Sequence, residues 1–289
     1  MGTLIAMARG IRGVENLADH TYVKCAPGTK EWGCWGGKSG GRQIGKGAGS
    51  TERADKIAGT DERGGITCYL VNGVCHQAAN RILLPTNGVL VTKAKGYAIS
   101  SALYGPFGRV GHWPCRAPLH QHKKVKGDLE ACRPKAMLKR RAGRALTADE
   151  KLDWVYAQEA LALYAKAPKL AMAAGVTGST QDFQVELFMH MARFHMGRMM
   201  DGRLARSLRS ARAQVERRFS SAIAKPAFAA SPASPGSLAQ DVDKIAVQLQ
   251  DRLGSILTPE QYETLLGVKR GEYVLLADPT IVKKLERKQ

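Results

Sequence analysis

Apolar and polar positions alternate along His20-Thr-Tyr-Val-Lys-Cys25, the two-residue period of a half-buried strand built from β-branched and aromatic side chains. Ala26 to Lys30 then supplies Pro and Gly for a turn, and Trp32-Gly-Cys-Trp35 resumes, so the segment predicts a hairpin. Gly36 to Ser50 is dense in glycine, with Lys38, Arg42 and Lys46 interleaved, and reads as a flexible loop. Ile66 to Val71 predicts another strand, Asn72-Gly73 a turn, and Cys75 to Leu84 a helix ended by Pro85. Cys75 is thereby placed in the first helical turn. Val89 to Thr92 reads as a short strand, and Tyr97 to Tyr104 as a strand or a short helix broken by Gly105-Pro106.

From Thr147 the period changes to that of helices, over Ala148 to Ala167, Gln181 to Ala224 and Leu238 to Leu253, with a Pro/Ser/Ala linker from Lys225 to Ser237. Thr258 predicts an N-cap, followed by Pro259 at the first helical position and Gln261 at the third, in the sense of a capping box. Val274 to Leu276 predicts a last short strand. An apolar stripe of Phe188, Met191, Phe194 and Leu204 is expected to pack on the first half or on a partner, leaving the arginines of Arg193 to Arg218 to face solvent or an acidic surface.

The chain has 289 residues, 44% of them apolar, enough for two ordinary domains with cores of their own. No stretch approaches the roughly 18 to 20 apolar residues of a membrane span. The N-terminal segment offers neither a basic leader nor a long apolar region, so the expected location is the cytoplasm, or outside the cell by a dedicated secretion machine. The formal net charge of +19 attracts phosphate, peptidoglycan or acidic lipid as a general field. It is concentrated in Arg133 to Arg144, where six basic residues meet no acidic one. No nucleic-acid recognition motif or interleaved aromatics accompany it, which disfavours nucleic acid as a partner.

All six cysteines (Cys25, Cys34, Cys68, Cys75, Cys115 and Cys132) lie in the first half, and they are expected to be mostly free. Cys75 has the address of a nucleophile, because unpaired N–H groups and the helix dipole at a helix start favour the thiolate. Of the seven histidines, His20 lies on a strand of the same compact unit and is the candidate base. His76 points elsewhere on the helix. As a structural alternative, Cys75 is a small buried hydrophobe.

Gly40 through Gly47 matches G-x-x-x-x-G-K but has Gly47 where a metal-holding Ser or Thr belongs, so it is not read as a phosphate loop. His112, Cys115, His120, His122 and Cys132 have the residue types of a zinc site at no standard spacing. No metal and no cofactor is predicted.

A strand opening on His20-Thr-Tyr-Val, a hairpin and glycine loop, and then Asn72-Gly-Val-Cys75-His-Gln at the start of a helix resemble the circularly permuted branch of the NlpC/P60 cysteine peptidases, a papain-like family that includes lecithin-retinol-acyltransferase-like proteins. The resemblance covers roughly residues 15 to 110 and implies Cys75 as nucleophile and His20 as general base. The orienting residue is unassigned, since the next strand offers Trp32 and Trp35, with Glu31 nearest. His112 is the alternative base if the order is papain's usual Cys before His.

The fold class expected is therefore α+β: a permuted papain-like domain over 1–132, a basic linker over 133–146, a helical region over 147–224, the linker 225–237 and a small helical module over 238–289. The resemblance implies a cysteine-dependent amidase or peptidase, with peptidoglycan peptide as the favoured substrate. The alternatives are an acyltransferase or transamidase of the same fold, and a non-catalytic basic binding module for nucleic acid or an acidic surface. A protein partner is expected to engage the helical half.

Overall fold

The computed structural model describes residues 2–33, 36–58, 69–86, 88–109, 156, 159, 160, 162, 178–228 and 234–287. It is an α+β structure in which a four-stranded antiparallel sheet is followed by a helical C-terminal region. The strands are β1 (Gly2–Arg9), β2 (His20–Ala26), β3 (Glu31–Gly33) and β4 (Arg42–Gly49), in the spatial order β3-β2-β1-β4. Helix α1 spans Thr51–Ala58, α2 Cys75–Ile82 and α3 Tyr97–Tyr104. After them come α4 (Gly178–Met196), α5 (Gly202–Phe228), α6 (Pro235–Ile256), α7 (Pro259–Leu266) and α8 (Pro279–Glu286).

The β2–β3 hairpin and α2 form where the residue pattern puts them, with Cys75 the first residue of α2. Two strands depart from the sequence reading. β1 is an inner strand beside β2, its Leu4, Ala6 and Ala8 turned into the core opposite Cys25, Val23 and Thr21 of β2. The glycine-rich segment is a loop over 36–41 but then holds β4, paired with β1 from Gly2↔Gly49 to Ala8↔Arg42. Its glycines serve close approach: a Cβ on Gly45 would lie 3.1 Å from Val89 Cγ1, and one on Gly49 would lie 3.2 Å from Leu4 Cδ1 and from the Pro85 backbone. The segment after α2 can therefore press directly onto the sheet.

The strand expected over Ile66 to Val71 is reduced, within the described residues, to an isolated bridge between Tyr69 and Gly73, and Val89 to Thr92 is irregular. Tyr97 to Tyr104 is a helix, ended by Gly105 at φ 74°. Val274 to Leu276 contributes a single parallel bridge, Leu17↔Leu275.

Helix α2 is buried along its whole length, so its polar side chains need partners inside the protein. Gln77 donates to the Gly105 carbonyl (3.1 Å), Asn80 donates to that of Pro106 (2.8 Å) and accepts from the Val91 N–H (2.9 Å), and Arg81 donates to that of Phe107. These bonds dock α2 on the 91–107 segment.

In the helical region, the single helix read over Gln181 to Ala224 is two, α4 and α5, separated by a 3-10 turn at Gly197–Met199. Asp201 Oδ1 caps α5 by accepting from the Leu204 N–H at 2.7 Å. α5 runs on to Phe228 and α6 starts at Pro235, so both helices intrude on the segment read as a 225–237 linker. The Thr258 capping box forms as read, with Gln261 N to Thr258 Oγ1 at 3.2 Å and Thr258 N to Gln261 Oε1 at 3.0 Å. The helix expected over Ala148 to Ala167 and the Arg133 to Arg144 run lie almost wholly outside the described residues.

Phe188 and Met191 are buried in a core that continues from the sheet and α2 into α4, α5 and α6. Not all arginines of the stretch face outward. Arg212 is fully buried, donating from Nε to the Ala102 carbonyl (2.7 Å) and from Nη2 to that of Leu103 (3.2 Å), so a guanidinium sits on the C-terminal carbonyls of α3. Arg212 and Arg109 both pair with Glu216, which also accepts from Ser220 Oγ at 2.9 Å. Burial alone would raise the Glu216 carboxyl; Arg109 and Arg212 override it and hold the pKa below the usual range.

Removing Glu216 leaves two desolvated guanidiniums without their counter-charge. Glu216→Ala is expected to cost about 3 to 5 kcal/mol, read as a fall in urea midpoint at unchanged m-value. Glu186→Ala, which breaks a pair with Arg209 that is 43% exposed on each side, is expected to cost about 0 to 1 kcal/mol. Equal effects of the two would mean that the buried triad does not form.

Candidate active site

The first turn of α2 abuts the start of β2, and Asp19 is the joint between them. Its backbone N–H donates to the Lys95 carbonyl at 3.0 Å, and its Oδ2 accepts from the Lys95 N–H at 2.9 Å and from Arg42 Nη2 at 2.8 Å. Its carbonyl accepts from His76 Nε2 at 2.9 Å and from the Cys75 thiol at 3.6 Å. Ala18 donates in turn to the Leu275 carbonyl at 3.0 Å, so residues 274–278 lie against the same corner.

Cys75 and His20 are thus brought to neighbouring backbone, but no hydrogen bond joins them. The thiol is directed to the Asp19 carbonyl. The His20 ring stands on the side of β2 that carries Tyr22, with which it stacks at 6.4 Å between centroids, and it lies directly beneath Gly36. Neither ring nitrogen has a hydrogen-bond partner.

Electrostatics keep both groups neutral. Burial drives the Cys75 thiol up to about 11; the Thr21 backbone and hydroxyl oppose this, the Asp278 carboxylate adds to it, and the His76 backbone opposes it weakly. The helix start was expected to favour the thiolate. It does so through that backbone, but a thiol only 7% exposed loses more from desolvation than a single helix end returns. Burial also drives His20 down to about 4, helped by the Arg9 charge and opposed by the Asp278 carboxylate and the Gly37 backbone.

His76 is no rival base. Its Nδ1 meets Ser100 Oγ at 2.7 Å and its Nε2 the Asp19 carbonyl at 2.9 Å, which uses both ring nitrogens in holding α2 to the sheet and to α3. Burial lowers its pKa to about 4 as well.

Around the thiol and the imidazole stand further polar atoms that are buried without a partner, Arg9 Nε and Asp278 Oδ2, while the Thr21 hydroxyl is turned to the thiol. Native interiors leave few such groups unpaired, and each calls for an explanation; others stand in the helical region, at Gln184 Nε2 and Arg212 Nη1. Asp278 was not singled out in the sequence. Its local signal, an Asp before Pro279, reads only as a helix cap.

Glu31, the nearest carboxylate in the sequence, is engaged elsewhere, pairing with Lys24 at 2.8 Å. Cys25 and Cys75 are both free thiols. His112, Cys115, His120, His122 and Cys132 lie outside the described residues, as do Cys34, Trp35 and Cys68. Among the described residues no cluster of His, Cys, Asp or Glu could hold a metal ion, and no helix is long and apolar enough to cross a membrane. No family model, curated protein or solved structure matches the chain.

Two outcomes follow from this packing. Unfolded imidazoles take up protons near 6.5, whereas His20 and His76 do so only near 4 in the fold. Between those values the unfolded chain binds more protons, so stability falls as the pH falls through that window and levels off below it, by on the order of 3 kcal/mol for each histidine. Urea midpoints at pH 7, 5.5 and 4.5 check this, and His20→Asn should remove about half of the part of the slope that these two rings contribute, His190 and His195 adding to the rest in the same direction; a flat profile would mean that these rings are not buried as neutral groups. A Cβ on Gly36 would lie 2.2 Å from His20 Cε1, so Gly36→Ala is expected to cost about 1 to 3 kcal/mol by overpacking and to move the His20 resonances in an NMR spectrum.

Proposed function

We propose that the chain is a cysteine-dependent amidase or peptidase in which Cys75 is the nucleophile and His20 the general base, with peptidoglycan peptides as the favoured substrate class. The observation that carries this reading is the collection of unpartnered buried polar atoms, Arg9 Nε, both nitrogens of His20 and Asp278 Oδ2, about a thiol at a helix start. A cysteine serving only to fill the core has no use for such surroundings. The resemblance of His20-Thr-Tyr-Val and Asn72-Gly-Val-Cys75 to permuted NlpC/P60 peptidases supports the roles, and the +19 charge suits an acidic polymer.

The closed state is a resting one. Turning the first residue of β2, so that the His20 ring leaves the Tyr22 side beneath Gly36 for the Thr21 side, would let the imidazole take the Cys75 proton. The thiolate then attacks the carbonyl carbon, the C–N bond breaks as His20 returns the proton to the leaving amine, and water hydrolyses the thioester. An amine or alcohol acceptor in place of water would make the same site an acyltransferase or transamidase.

A second reading has its own support: a thiol pushed up to about 11 and bonded to a backbone carbonyl is what a structural cysteine in a basic binding module would show. Turnover of soluble muropeptides separates the two. Cys75→Ala is expected to abolish release of new amino groups while costing on the order of 1 kcal/mol of stability, as a small buried side chain does. Turnover that persists in folded Cys75→Ala would overturn the enzyme reading.

A further inference from the structure

Asp278 is contributed by a part of the chain far from the sheet and α2, yet it is 95% buried at their junction, with a relative exposure of 5%. One carboxylate oxygen is committed: Oδ1 accepts from the Thr280 N–H at 2.8 Å and from the Thr280 hydroxyl at 2.6 Å, capping α8. The other, Oδ2, is buried and has no partner. The residue is held in place independently of that oxygen. Its backbone N–H donates to Tyr69 Oη at 2.9 Å, Tyr69 Oη donates to the Leu276 carbonyl at 3.3 Å, and Leu275 bridges to Leu17, just before the His20 strand. The carboxylate acts on both Cys75 and His20, favouring the protonated form of each.

His20, in turn, has two buried ring nitrogens that make no side-chain hydrogen bond, the Gly37 backbone being the hydrogen-bonding group that favours the protonated ring. A base that must turn toward a thiol needs its second N–H received by an acceptor, which sets the tautomer and stabilises the imidazolium once it forms. We propose that Asp278 is the positioning residue of the Cys75–His20 pair, its free Oδ2 accepting the second His20 N–H when the first ring nitrogen takes the thiol proton. This rests on the Cys75–His20 reading above and fills the one role that the sequence leaves open. In the step, the S–H bond breaks and an N–H bond forms on His20, while the imidazolium hydrogen-bonds to the Asp278 carboxylate; no other reactant is needed.

The sign of one measurement decides it. If Asp278 acted only as a negative charge beside the thiol, removing that charge would lower the thiol pKa and speed alkylation. If it acts through His20, removing it slows alkylation, because the imidazolium that forms with the thiolate is no longer stabilised.

Alkylation of Cys75 by iodoacetamide in the full chain at pH 7, followed by peptide mass mapping so that the other cysteines are resolved, is the test. Asp278→Asn keeps the volume and a good N-cap for α8, and Asp278→Ser is a second cap-competent variant if the amide misfolds; thermal melts check both. The result expected is labelling about tenfold slower in Asp278→Asn, comparable slowing in His20→Ala, and no further slowing in the double variant.

Unchanged or faster labelling in folded Asp278→Asn overturns the proposal. If His20→Ala still slows labelling in that case, the Cys75–His20 pair stands and only the role of Asp278 falls. If His20→Ala labels at the wild-type rate, the pair itself is wrong and Asp278 falls with it.

Discussion

Asp19 has to satisfy a buried carboxylate, a buried N–H and a buried carbonyl at the point where the chain enters β2, and it does so by reaching three different parts of the structure. The carboxylate takes Arg42 of β4 and the Lys95 N–H ahead of α3, and the carbonyl takes the first two side chains of α2. An unmade bond at any of these would cost on the order of 1 to 3 kcal/mol, so the strand, the helix start and the 91–96 turn are fixed with respect to one another by a single residue. The thiol is carried along with them. Its position follows from the partner requirements of Asp19 and His76, and its resting protonation follows from the depth at which those requirements are met.

A second set of matched charges does for the helical region what Asp19 does for the sheet. Arg109, Arg212 and Glu216 are all but unexposed, and Arg109 also lies 4.8 Å over the ring of Phe219. Three desolvated ions roughly repay their own cost, so the triad contributes specificity more than net stability: α5 can meet the C-terminus of α3 in only one register. Because α3 receives the bonds from α2, that register passes by rigid contacts toward the corner where Cys75 lies.

The parts of this fold that were legible in the sequence are those whose cause is local. The alternation after His20, the Asn72-Gly73 turn ahead of Cys75 and the capping box at Thr258 each announce themselves within a few residues. β4 was hidden because glycines at Gly45 and Gly49 read as freedom, whereas here they make room for Val89 and Pro85, neighbours some forty residues away that only the folded sheet supplies. The division of α4 from α5 was hidden by a helical period that runs across the break, although Asp201-Gly202 is a recognisable cap in retrospect. Arg212 and Arg193 are alike as letters, and only the arrival of α3 decides that Arg212 is interior. At the candidate site, the helix start and the strand histidine could be read, but the depth of burial could not, and that depth is what sets the thiol and the imidazole to neutral. Asp278 had no local signal for its place beside them.

The bridge between Leu17 and Leu275, and the bond from Tyr69 to the Leu276 carbonyl across 207 residues of chain, also set an order of events during synthesis. The sheet and α2 span residues 2–82 and can fold while the ribosome is still at work, whereas residues 274–278, which lie against the same corner, are made about 190 residues later. Until they arrive, the Leu275 and Leu276 carbonyls that receive Ala18 and Tyr69 are missing, and the corner beside the start of α2 is incomplete. A newly made chain therefore holds Cys75 without the Asp278 carboxylate, which joins the thiol only when the later segment docks.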